Sequence, residues 1–248
     1  MKRTAFLILA ALYASPACAG VDLNSVGMKM AGEVVANPAA FLYDFQQDFE
    51  GTTPLPPGKS LSFQTGLWGG ILPTLAAMPS LSAKYRLHPE GRLAPGVPQI
   101  DLIGGYWSSP LARSAGKNSN AVNDLKFNGY YLGALVTSSV SPRVRTFWGY
   151  KHSQLNARLS FAAGHEPDLL GTKVNSFNTG FRDDFIIAGI ETPKGVDKLW
   201  SIQLNYGLGT QTFCSKVSWY GKVFELGLNI YPEGVLVVHP VWNMHINF

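Results

Sequence analysis

Beyond its first twenty residues, this chain never approaches the eighteen or so consecutive apolar residues that a membrane-crossing helix requires. It is also short of cysteine, with Cys18 and Cys214 the two in 248 residues. Charge is sparse as well, at 15% of residues, where a soluble domain of this size carries about 25%. Each shortage excludes something. A helical-bundle membrane protein is excluded by the first, and a disulfide-stapled secreted scaffold by the second. The third speaks against an ordinary soluble surface. Nor is there an excess of one sign, since the formal net charge is +4, so the basic footprint of a nucleic-acid binder is missing and no nucleic-acid partner is expected.

What is present begins with an export signal. Lys2 and Arg3 precede an apolar run from Ala5 to Ala14, and Ser15-Pro16-Ala17-Cys18-Ala19 forms a small-residue exit. Ala17 and Ala19 take the −3 and −1 places of an A-x-A-like cleavage site, so residues 1–19 read as a signal peptide. The apolar run is about half the length of a spanning helix. The mature chain would keep Cys214 alone and 18 basic against 16 acidic residues, close to balance.

An exported, aromatic-rich, charge-poor chain without spanning helices suggests the other way to satisfy backbone groups in lipid, a closed sheet. The C-terminal end shows the matching pattern. Trp242, Met244, Ile246 and Phe248 alternate with Val241, Asn243, His245 and Asn247, the period of a strand with one apolar and one polar face. Upstream, Phe224, Leu226, Leu228 and Ile230 alternate with Val223, Glu225, Gly227 and Asn229, and Tyr231-Pro232-Glu233-Gly234 supplies a turn. Trp200, Ile202, Leu204, Tyr206 and Leu208 alternate with Ser201, Gln203, Asn205 and Gly207. Aromatic residues gather near strand ends, where interfacial girdles would lie.

A chain that ends on Phe248 with apolar partners at every second position before it resembles the C-terminal signature of bacterial outer-membrane β-barrels. That resemblance implies residence in the outer membrane, contact with its lipid, and dependence on the barrel assembly machinery during biogenesis. The fold class expected is therefore all-β: a transmembrane antiparallel up-and-down barrel of about ten strands, with eight to twelve the allowed range, and a short N-terminal amphipathic helix. Strands are expected at 60–71, 79–87, 97–108, 125–138, 143–163, 172–181, 184–192, 200–208, 223–230 and 235–248. An even total returns both chain ends to the periplasmic side and puts the Gly/Ser/Asn-rich segment 109–124 outside.

Residues 20–58 differ from the rest. Asn37-Pro38 reads as a cap and first helical residue, Gly51 as a stop, and Phe41, Phe45 and Phe49 recur every fourth residue beside Asp44, Gln46, Gln47 and Asp48. This amphipathic helix, followed by the Pro-rich linker 52–58, would lie on the periplasmic membrane surface, close the lumen, or pack below the barrel. The barrel itself would be residues 59–248.

Candidate site residues follow from the strand faces. Lys84 and Arg86 share one face of their strand, and Arg143, Arg145 and Lys151 share one face of theirs. With Gln203, Asn205, Glu225, Asn229, Asn243 and His245 they would line the lumen. There they would either bias it toward anions or pair with Glu191, Glu225 and other carboxylates to fill it, as confined charges require. The filled interior is the reading that a ten-stranded barrel favours. His239 and His245 fall on one face but about 20 Å apart, and no histidine cluster has ligand spacing, so neither metal nor other cofactor is expected. His152-Ser153 invites comparison with outer-membrane lipid hydrolases and acyltransferases, but adjacent strand residues point to opposite faces. Asp183-Asp184 diverge for the same reason, or sit in a turn. The function expected is structural, adhesive or a narrow channel, without catalysis. An outer-leaflet lipid-modifying enzyme of the lipid A deacylase or acyltransferase type is the alternative, and a soluble periplasmic β-sandwich a third.

Overall fold

The computed structural model describes residues 38–49, 60–64, 80–110, 114, 120–166, 168–169, 172–193, 198–234 and 237–247. The expected signal peptide, the linker 52–58 and Phe248 lie outside them.

Alternation of the kind seen in Leu199–Gly207, where buried and exposed residues follow one another almost without a break, forces each strand to choose two environments. Ten strands make that choice together and close into one antiparallel barrel. They are β1 (Ser60–Gln64), β2 (Ser80–His88), β3 (Gln99–Ser108), β4 (Val122–Ser141), β5 (Val144–Phe161), β8 (Ser176–Pro193), β9 (Leu199–Gly207), β10 (Phe213–Tyr220), β11 (Phe224–Ile230) and β12 (Val238–Asn247). The connection between β5 and β8 carries a two-stranded ribbon, β6 (Asp168–Leu169) and β7 (Thr172–Lys173). Each barrel strand pairs with its neighbour in sequence, and β1 closes the circle by pairing with β12, Ser60 opposite Asn247 and Gln64 opposite Asn243. The up-and-down barrel of ten strands is thus observed, and the start of β1 and the end of β12 share one rim.

The strand count matches expectation through two compensating differences. Segments 172–181 and 184–192 were expected as two strands but belong to one, β8, which runs unbroken through Arg182-Asp183-Asp184. Those charges suit a strand because Asp183 is buried inside while its neighbours face outward. The strand not foreseen is β10. Its outward face mixes Ser215 with Phe213, Val217 and Trp219, and its inward face mixes Cys214 and Tyr220 with Lys216 and Ser218, so its two faces contrast weakly.

Outward positions form an apolar belt. On β4 it runs Leu132, Ala134, Val136, Ser138, Val140. Those eight residue steps cover about 26 Å along the strand, or about 20 Å along the barrel axis at a tilt of about 40°. The same belt continues through Trp148 (62% exposed), Ile186, Ile190, Ile202, Leu204, Leu226 and Leu228. Large side chains this exposed on adjacent strands make a continuous apolar surface, not scattered exceptions.

The helix α1 (Pro38–Phe49) begins at the proline, as its preset φ allows. Leu42, Tyr43, Asp44, Gln46, Gln47 and Asp48 are all at most 7% exposed. They contact inward-facing residues of β3, β5, β8, β11 and β12, which puts α1 inside the barrel, in the half remote from the rim where the chain ends meet. Its polar residues therefore face a polar barrel wall, not solvent. Gly129 of β4 lies where α1 passes: a Cβ there would collide with the Gln46 amide and the Trp107 indole.

Candidate functional site

Inside the barrel, two groups of side chains fill two levels. Nearer the rim with the chain ends, Lys84 and Arg86 of β2 both reach Asp101 of β3, at 3.1 and 3.7 Å. The opposed register of Arg86 and Asp101 brings them together. Gln99 donates to the same carboxylate at 2.5 Å and accepts from Arg145 at 3.2 Å, and Arg145 in turn pairs with Glu191 of β8 at 2.9 Å. Asp101 and Glu191 are at most 2% exposed. This is one connected ionic network across β2, β3, β5 and β8, which is how buried charges avoid the several kcal/mol penalty of isolation. Across the barrel, Lys216 pairs with Glu225 at 3.5 Å.

The second level is built on α1. Gln46 accepts a hydrogen bond from Trp107 Nε1 at 2.8 Å and donates to Ser153 Oγ at 3.1 Å. Gln47 accepts from Lys151 Nζ at 2.9 Å. Asp48 gathers three groups from the C-terminal hairpin: Asn229 and the Tyr231 hydroxyl donate to Oδ1 at 2.9 Å each, and His239 Nδ1 lies 2.6 Å from Oδ2. Tyr43 adds an edge-on contact with Phe181, their ring centroids 5.2 Å apart, beside Phe185 and Tyr231. Between the two levels, Gln47, Lys151, Gln203, Asn205, Cys214, Lys216 and Asn229 surround a cavity of about 10 Å³, room for about one water molecule.

Of the residues expected to line the interior, Lys84, Arg86, Arg145, Lys151, Gln203, Asn205, Glu225 and Asn229 face inward. Arg143 does not. It sits exposed in the tight turn between β4 and β5, one residue before the strand expected to carry it. The backbones of Asn243 and His245 pair with Glu225, Gln64 and Ser62, and their side chains lie outside the described residues. Three residues at the centre of the interior were not singled out from sequence. Asp101 alternates with Ile103 on an otherwise unremarkable strand; Gln46 and Asp48 read only as part of the polar side of an amphipathic helix.

The dipeptide His152-Ser153 divides as strand geometry requires. Ser153 is fully buried against Gln46, whereas His152 faces outward. There His152 lies directly opposite Asp184 of β8, Nδ1 2.6 Å from Oδ1, and Tyr150 donates to the same oxygen at 2.5 Å. Asp183, on the inward face, accepts from the backbone of Gly209 and Thr210 and from the Thr210 hydroxyl, fixing the turn between β9 and β10. Among the described residues no group of three His, Cys, Asp or Glu side chains has the arrangement of a metal site.

No protein-family model matches the sequence, and no curated protein matches it. Two solved structures align with most of the chain. Ail, the attachment invasion locus protein of Yersinia pestis, aligns over 76% of this chain and 99% of its own, with 10% identity and a TM-score of 0.32. LpxR from Salmonella typhimurium aligns over 77% of this chain and 99% of its own, with 12% identity and a TM-score of 0.34. Likeness at this level carries nothing about activity. The barrel rests on its own strand pairing.

Proposed function

We propose that the chain is an integral protein of the bacterial outer membrane, a barrel sealed from within by α1, with a structural or adhesive role and no conducting pore. The membrane address is supported by the continuous outward belt, whose height of about 20 Å approaches the apolar band of about 25 Å in outer-membrane barrels. Sealing is supported by one observation above the others: α1 lies across the interior and contacts β3, β5, β8, β11 and β12 from within. Four of the cations expected to bias a pore toward anions are instead engaged, Lys84, Arg86 and Arg145 by Asp101 and Glu191 and Lys151 by Gln47, and Lys216, which was not among them, pairs with Glu225.

The catalytic alternative has less behind it. His152 and Asp184 have the hydrogen bond of a base and its orienting carboxylate, but the adjacent serine is on the other side of the barrel wall, and a serine nucleophile must lie within reach of its base.

Reconstitution in planar bilayers tests the reading. The refolded full chain is expected to insert and stay electrically silent. Stepwise currents from the intact protein would overturn the sealed barrel, and a mature chain that stays monodisperse in buffer without detergent would overturn the membrane address.

A further inference from the structure

We propose that the outward faces of β4, β5 and β8, just beyond the apolar belt, seat the phosphate of a phosphorylated lipid headgroup in the surrounding leaflet, with Arg158 and Arg182 as its cationic contacts. The inference rests on the membrane-spanning reading above, since it needs a bilayer surface at that height.

The three strands are longer than the belt and run on past it. Their register sets the outward residues in rows. Leu132, His152 and Asp184 form the row at the belt margin; Tyr130, Gln154 and Arg182 the next; Asn128, Asn156 and Gly180 the third; Lys126, Arg158 and Asn178 the fourth. Below the margin the corresponding row is Ala134, Tyr150 and Ile186. Composition thus switches from apolar to polar within one or two rows, each about 7 Å deep. That switch marks the level at which lipid headgroups meet the protein.

Charge at this level is unevenly satisfied. Asp184 is engaged by both His152 and Tyr150, and Asp124 pairs with Lys126 at 3.5 Å. Arg158 and Arg182 are both exposed, and among the described residues neither forms an ion pair. They stand on adjacent strands, two rows apart, with Cα atoms about 14 Å from each other by strand geometry. Two extended arginine side chains can close on one anion across that span. Gly180, in the row between them, puts no side chain over the seat, and Asn156 and Asn178 flank it. Asn156 uses its oxygen to accept from Gln154 at 3.0 Å, which leaves its NH₂ group to donate. Paired guanidinium groups with amide donors suit a phosphate oxygen cluster, where charge-assisted and bidentate hydrogen bonds are the strong ones. Tyr130 and Tyr150, both hydrogen-bonded along the margin, supply the amphipathic ring surface that sits at such an interface.

The test measures binding to the purified full chain in detergent with three probes: lipid A, its dephosphorylated counterpart, and inorganic phosphate. Lipid A is expected to bind, and R158Q and R182Q each to weaken it about fivefold, the double variant about thirtyfold, at about 1 kcal/mol per cation near a lipid surface. R158K/R182K, which keeps both charges but loses the bidentate geometry, should bind between wild type and R158Q/R182Q, and wild type should hold the dephosphorylated lipid no better than the double glutamine variant holds lipid A. Unchanged lipid A binding in a folded R158Q/R182Q protein would overturn the site. So would equal wild-type affinity for both lipids, an outcome that needs no variant to fold. Inorganic phosphate competing as well as lipid A would overturn the lipid source. In each of these results the chain still needs detergent, whereas a chain soluble without it would sink the membrane reading itself.

Discussion

The two halves of the barrel interior are filled by different means. Near the rim where the chain ends meet, the strands fill the space themselves, through Lys84, Arg86, Asp101, Arg145 and Glu191. In the remote half the filling comes from α1, whose Gln46, Gln47 and Asp48 bond to β3, β5, β11 and β12. The first half is held by charges, the second by hydrogen bonds and an aromatic contact. The strand network joins residues of the wall itself, whereas α1 precedes the first strand and is not part of the wall. The first half should therefore govern global stability, and the second whether the barrel is sealed.

That contrast can be broken most directly at Asp101. Asp101→Ala strands Lys84 and Arg86 in the interior, and removing one partner of a buried ion pair costs about 3–5 kcal/mol. Urea unfolding in lipid vesicles, followed by tryptophan fluorescence, should show the whole barrel shifted by that amount. If the loss were confined to one hairpin, the network would not be a global element.

A smaller and more local effect is expected at Asp48. Asp48→Ala leaves Asn229, Tyr231 and His239 without their shared acceptor, and an unsatisfied buried polar group costs about 1–3 kcal/mol. Limited proteolysis should then cut within or beside α1 while the strands stay protected, and bilayer recordings should show openings that the parent lacks. Equal protection of α1 in both proteins would erase the difference between the halves.

The smallest effect belongs to Glu90, in the loop between β2 and β3. Its two oxygens accept from the backbone N–H and hydroxyl of Ser139, at 2.7 and 2.6 Å. The Ser139 hydroxyl bond, then the backbone bond, hold its carboxyl below the usual glutamate range. A lowered pKa means that this contribution is present at neutral pH and is lost as pH falls below the ordinary value near 4.5 and through the folded one. Because the group is exposed, screening keeps the effect to a few tenths of a kcal/mol. Glu90→Gln should flatten the acid limb of the stability profile slightly and leave α1 protection unchanged.

Sequence reasoning reached as far as period-two alternation reaches. It found the barrel, the return of both ends to one rim, and the inward faces of β2, β5, β9 and β11, because each depends on neighbours one or two residues away. It stumbled at β8 and β10 for a local reason. β8 extends past the belt, so Arg182 and Asp184 are outward and polar where the rule expects apolar residues, and they read as a turn. β10 has Ser215 outside and Tyr220 inside, which blurs both faces. For α1 the sequence left three places open, the membrane surface, the lumen and the space below the barrel, and could not choose among them. A helix with phenylalanines every fourth residue and polar residues between them reads as half solvated, and only a polar barrel interior makes every described side of it a buried one.

The closing of the circle has a consequence for how the molecule is made. Asp48 precedes the first barrel strand, yet its partners Asn229, Tyr231 and His239 belong to the last hairpin, 191 positions away in the case of His239. The helix therefore acquires its anchor only after the final strands have emerged and β12 has met β1. Synthesis that stops short of that hairpin yields a chain whose inner stopper has nothing to fasten to, so the beginning of the protein registers whether its end has arrived.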